Sequence, residues 1–99
     1  MKSFEQIIHS DKPVLIDFYL PVCAPCEKLA TVLDSVKQSL GNRIKVVKVD
    51  VERNKALAHA YKVRLVPTVM LFQKGKKLWQ QSGMVSSGEL LGTILQKSN

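Results

Sequence analysis

The sequence predicts an α/β domain, and three observations carry that reading. A nearly unbroken apolar run over 14–20 has strand length, as expected for a strand covered on both faces. It is followed by an amphipathic helical stretch and then by a second β-branched run over 44–51, which makes a βαβ unit with parallel strands and a right-handed crossover. A third apolar run over 69–72 turns at Lys74-Gly75-Lys76 and returns as Leu78-Trp79-Gln80, a hairpin.

Taken in order, the chain opens with Ser3-Phe4-Glu5-Gln6, a capping box, and Phe4, Ile7 and Ile8 give a short apolar face. A helix is expected over 3–10, ended by Asp11-Lys12-Pro13. The first strand, 14–20, contains one charge, Asp17. The helix over 27–40 carries the stripe Cys26, Leu29, Ala30, Leu33, Val36 and Leu40, whose steps of three and four mark a buried face. Gly41-Asn42 supplies its stop. After the second strand, Asn54 is expected to cap a helix running to about residue 61. Val66-Pro67-Thr68 leads into the hairpin. Ser86-Ser87-Gly88-Glu89 is a second capping box, opening a helix with Leu90, Leu91, Ile94 and Leu95 on its apolar face. Ninety-nine residues with no linker-like stretch make one domain, residues 1–99.

The chemistry-bearing stretch is Val22-Cys23-Ala24-Pro25-Cys26, which holds both cysteines of the chain. Side chains at i and i+3 on a first helical turn have Cβ atoms roughly 5–6 Å apart. A disulfide needs Cα atoms about 4.4–6.8 Å apart. One backbone can therefore hold either two thiols or a small closed ring. The two sulfurs are not equivalent. Cys26 belongs to the buried stripe, whereas Cys23 lies at the helix start, where unpaired N–H groups and the helix dipole favour negative charge and lower a thiol's pKa. The chemistry that follows is thiol–disulfide exchange, with attack by Cys23 and resolution by Cys26. A zinc half-site is the competing use, but four-ligand zinc needs two more Cys or His nearby, and His9 and His59 are isolated. No metal or other cofactor is expected beyond the reversible disulfide.

No run of eighteen apolar residues exists and no signal-peptide core precedes the first helix, so a cytoplasmic location without membrane contact is expected. Two cysteines there read as redox chemistry, not as a structural staple. The net charge of +7 is scattered; its densest cluster, Lys74, Lys76 and Lys77, reads as a solvated turn. Without interleaved aromatics it does not indicate nucleic-acid binding.

From about residue 14 to residue 95 the chain resembles thioredoxins. The resemblance rests on Asp17-Phe18, Cys23-Ala24-Pro25-Cys26, Lys48-Val49-Asp50, Val66-Pro67-Thr68 and Gly83, at matching separations. It implies a thioredoxin fold: a mixed central sheet of about four strands flanked by helices, with the family's N-terminal strand short or absent. The strand near 44–49 would then lie at a sheet edge, where Lys45 and Lys48 discourage pairing with another chain. The resemblance places Asp17 buried beneath Cys26, with a raised pKa that lets it relay a proton, and Lys48 beside it. It implies a cis Val66–Pro67 bond, a Val66 backbone free to pair with an extended substrate segment, and a proline that keeps metal from the sulfurs. Substrate would touch Tyr19, Val22, Ala24, Pro25, Val66, Pro67 and Gly83. The implied activity is protein-disulfide reduction by a monomer. Its partners would be disulfide-containing proteins and a thioredoxin-reductase-type electron donor. Departures lie around the pair. Val22 and Tyr19 stand where tryptophan is common, Pro21 restricts Leu20, Ala24 replaces the commoner glycine, and Thr31 stands where many members have proline. That altered rim motivates a second reading, a binding module whose redox pair is secondary.

Overall fold

The computed structural model describes residues 3–99. Ser3 caps the first helix, α1 (Phe4–Ile8), and the capping box closes in both directions: Gln6 N–H donates to Ser3 Oγ, and Ser3 N–H to Gln6 Oε1. The helix is one turn shorter than the expected 3–10. Pro13 then releases the chain into β1 (Val14–Tyr19), and α2 (Ala24–Leu40) follows. A 3₁₀ turn at Gly41–Arg43 leads to β2 (Lys45–Asp50), α3 (Lys55–Ala60), β3 (Thr68–Gln73), β4 (Lys76–Ser82) and α4 (Ser87–Lys97).

The strands form one mixed sheet in the order β2-β1-β3-β4. β1 and β2 run parallel, with Asp17 opposite Lys48. β1 pairs antiparallel with β3, and β3 with β4. Among the described residues no strand precedes β1, so β2 is an edge, and Lys45 and Lys48 are exposed on it as expected.

Side chains of a strand alternate between faces, and β1 uses both. Leu15 packs with Leu29, Leu33 and Val36 of α2 and with Leu90 and Ile94 of α4. Val14, Ile16 and Phe18 pack with Ile8, Met70 and Phe72, beneath Phe4 and Tyr61. Asp17 shares the parity of Leu15 and so falls on the α2 face. That parity sends its carboxyl group toward the helix that carries the cysteines.

Three local expectations are corrected. Asn54 occupies the N-cap position of α3, but its side chain does not cap; Nδ2 donates instead to the Asp50 carbonyl at 2.9 Å. At α4, Ser86 Oγ accepts from Glu89 N–H at 3.1 Å, but the Glu89 carboxylate takes the serine hydroxyl at 3.0 Å and not the backbone N–H. Leu95, expected on the apolar face, is 64% exposed; of that helix Leu90 and Ile94 are buried in the core and Leu91 packs against its edge. The hairpin turn has positive φ at Lys74 (53°) and Gly75 (82°). Its N–H groups donate to the carbonyls of Ser10 and Ile8, which lays the turn on the end of α1. A side chain at Gly75 would overlap the His9 ring. At the far end of β3, the buried Gln73 side chain donates to the Asp11 carbonyl at 2.7 Å and exchanges two bonds with the backbone of Asn99.

Candidate active site

Phe18 pairs with Thr68, and Thr68 with Ser82, so the chain leaves β1, joins β3 and leaves β4 at one end of the sheet. The loop that leaves β1 there becomes the start of α2. Cys23 is the N-cap residue, with extended backbone (φ −161°, ψ 107°), and its Sγ accepts the Cys26 N–H at 3.2 Å. Pro25 occupies the first turn, where its missing N–H leaves nothing unpaired that a helix would have paired. The two Cα atoms lie 5.2 Å apart and the sulfurs are joined. Cys26 is 5% exposed, at the head of the buried stripe, while Cys23 is half-buried. The expected asymmetry is thus built by the helix itself. A thiolate at Cys23 would gain a charge-assisted bond from an N–H already aimed at it.

Behind Cys26 lies a cavity of about 220 Å³, lined by Asp17, Tyr19, Leu20, Pro21, Cys26, Glu27, Ala30 and Lys48. Asp17 is 1% exposed, and its Oδ1 makes no hydrogen bond among the described residues. Burial pushes its carboxyl group up to about 6, against a smaller downward pull from Lys48. A carboxylate whose proton affinity is raised in this way, with an unpartnered oxygen beside a buried sulfur, can take a proton at near-neutral pH.

The structure brings Asp17, Lys48, Tyr19 and Cys26 around one cavity. Lys48 is exposed and makes no ion pair within 4.0 Å among the described residues, so it reaches Asp17 only through its field. Ala24 and Pro25 are exposed on the first turn of α2, and Val22 is 93% exposed just before it. Val66–Pro67 is cis; Val66 is half-buried and Pro67 buried. The Pro67 carbonyl accepts the N–H of Gly83 at 2.9 Å, where φ is +86°. Sequence reasoning missed Glu27 as a cavity residue, although its place directly after Cys26 marks it. It also missed Leu65 and Met84, which flank Val66-Pro67 and Gly83 and are 66% and 46% exposed. His9 and His59 are both exposed, and no cluster of three metal-ligating side chains occurs among the described residues.

A family model described as thioredoxin matches residues 1–96. A thioredoxin of Griffithsia pacifica is 40% identical over 91% of this chain and 83% of that protein. Thioredoxin 1 of Nostoc sp. is 39% identical over 91% of this chain and 84% of that protein. The chloroplastic thioredoxin Y of rice is 36% identical over 93% of this chain, which spans only 55% of the rice protein. Among solved structures, a malaria-parasite thioredoxin-2 superimposes with a TM-score of 0.84 at 28% identity, over 86% of this chain and 82% of that one. The sheet order, the capped cysteine pair and these matches agree. The chain belongs to the thioredoxin family; it is a thiol–disulfide oxidoreductase and carries the CxxC-spaced pair Cys23 and Cys26.

Proposed function

We propose that the chain reduces disulfides in other proteins. The observation that carries this reading is the division of labour at α2: a half-buried capping sulfur outside, and a buried sulfur on the cavity of Asp17 inside. The reduced Cys23 thiolate attacks one sulfur of a partner disulfide. A mixed disulfide forms, the partner's S–S bond breaks, and its second sulfur leaves as a thiolate that takes a proton. Cys26 then gives its proton toward Asp17 and attacks Cys23 Sγ. The Cys23–Cys26 bond forms, and the remaining partner sulfur departs as a thiolate. Two electrons pass from the pair to the partner. A thioredoxin-reductase-type donor returns them.

In this reading Asp17 is the proton acceptor and Lys48 biases its charge. Tyr19, Val22, Ala24, Pro25, Val66, Pro67 and Gly83 form the surface a partner touches. Pro67 cannot donate an N–H, which leaves the Val66 backbone to meet an extended segment by strand addition. The chain acts as one domain and as a monomer, with no metal or further cofactor. Among the described residues no helix is long and apolar enough to cross a membrane. The working compartment proposed is the cytoplasm; the rice relative is a chloroplast protein, so cell fractionation decides. The altered rim does not favour a redox-independent binding module, since the pair itself is in place.

With dithiothreitol as donor, the protein should accelerate insulin reduction, and Cys26→Ser should accumulate a mixed disulfide through Cys23. An unaccelerated reaction without a trapped adduct would overturn the reading.

A further inference from the structure

Along the chain the net charge of +7 is scattered, but the fold gathers cations at one place. Strand register defines the end of the sheet away from the cysteines: Val14 stands beside Lys45 and Phe72, and Phe72 beside Lys77. Lys76 follows there on β4, and Lys74 in the turn donates its N–H to the Ser10 carbonyl. Lys12 comes just before β1, and Arg43 lies in the 3₁₀ turn that feeds β2. Lys97 ends α4, two residues before the Asn99 that Gln73 holds. All these cations are exposed, and none is ion-paired among the described residues, where the one ion pair joins Arg53 and Asp50. Asp11 is the one acidic side chain among the residues placed here. At the cysteine end opposite signs sit together: Glu27 with Lys28, Asp17 across from Lys48, and Asp50 with Arg53.

A cavity of about 400 Å³ opens into this basic end, nearly twice the volume of the one behind Cys26. Buried Pro13, Leu40 and Ile94 line it, together with Leu95, the apolar side chain that the core of α4 leaves exposed. Lys12, Arg43 and Asp11 line it too. The Arg43 guanidinium donates to the Leu40 and Ser39 carbonyls at 3.4 Å, which holds its charge at the end of α2. An apolar hollow rimmed by cations suits a ligand that is apolar at one point and negative around it. A bilayer is entered by protruding apolar side chains. Here the apolar surface is concave, which fits a side chain offered by another protein.

We propose that this end of the molecule docks an acidic segment of a partner protein, with one apolar side chain seated in the cavity and carboxylates set on Lys12, Arg43 and Lys97. The site is separate from the cysteine pair and goes beyond the reductase reading. A partner held here leaves Cys23 facing solvent, so docking and exchange use opposite ends of the sheet.

The test measures fluorescence anisotropy of a labelled, cysteine-free peptide with one phenylalanine between two pairs of glutamates. The protein should bind it at low salt and release it as salt rises, and should ignore the same peptide with lysines for glutamates. Replacing the phenylalanine by serine should weaken binding severalfold, as should Leu95→Ser. Lys12 and Lys97 make no side-chain hydrogen bond among the described residues, so K12E/K97E should fold and weaken binding about tenfold or more. K28E/K55E, the same change of net charge elsewhere, should move it less than about twofold. Insulin reduction should run unchanged with the peptide at saturation. No binding, equal loss in both double variants, or inhibition of insulin reduction by the peptide would overturn the inference. Co-sedimentation with phosphatidylserine vesicles in place of peptide binding would overturn it in favour of a lipid surface. None of these outcomes touches the reductase reading, which the trapped adduct decides.

Discussion

The N-termini of α2 and α4 are built alike and used differently. Each has a side chain at the N-cap that accepts the backbone N–H three residues on, at 3.2 Å for Cys23 and 3.1 Å for Ser86. At α4 the acceptor is a hydroxyl oxygen, a strong cap, and Glu89 completes the turn. At α2 it is sulfur, a weak acceptor when neutral and a strong one as a thiolate. The oxygen spends the N–H on holding a helix. The sulfur leaves the same N–H in reserve for a charge that comes and goes. Beneath α4 sits Leu90, fully buried; beneath the start of α2 sits a carboxyl group. One helix start is therefore stable throughout, while the other gives up stability around a reactive pair.

The largest expected effect makes α2 resemble α4. Cys23→Ser keeps an acceptor at the cap but removes the nucleophile. Exchange should fall by at least about 1000-fold, while far-ultraviolet circular dichroism of the reduced proteins should be indistinguishable. Residual turnover near wild type would show that Cys26 can attack directly.

Next comes the carboxyl group. Asp17 titrates near 6 in the fold, against 3.8 for an ordinary aspartate. The folded state therefore binds the extra proton between those values, and stability is full below about 4 and lost as pH rises through 6. Asp17→Asn should remove that loss, stabilising the protein at pH 8 by about 3 kcal/mol and at pH 3 by little. Urea midpoints at the two pH values measure the difference; an equal shift at both would mean that charge is not the cause. The same residue should give single-turnover release of partner thiol a fall as pH drops through about 6, absent in the asparagine variant.

The smallest effect lies at α4. Ser86→Ala should cost about 1 kcal/mol, a melting point lower by roughly 4–8 °C, with exchange rates unchanged. A redox effect there would mean that the two helix starts are coupled.

Much of this contrast was legible in the sequence. The spacing of Cys23 and Cys26 relative to the stripe Leu29, Leu33, Val36 gives the inner and outer sulfur, because helical periodicity is local. The two-residue period of β1 would also have put Asp17 on the face of Leu15. What escaped depends on partners that neither periodicity nor propensity weighs. The Asn54 side chain had a competing acceptor in Asp50 that propensity does not weigh. Leu95 fits the apolar spacing of α4, yet the core ends one residue short of it. The register shift between Leu71 and Phe72 carries no glycine or proline to announce it. Leu65 and Met84 sit in loops without periodicity, and only the link between Pro67 and Gly83 makes them one surface.

At the opposite end of the sheet, Gln73 grips Asn99 through its main-chain amide and carbonyl, and takes the carbonyl of Asp11 as well. Nothing in that grip reads a side chain at position 99. The seam should thus accept any amino acid there that keeps its backbone extended, while position 73 tolerates only a group of glutamine's reach with both a donor and an acceptor.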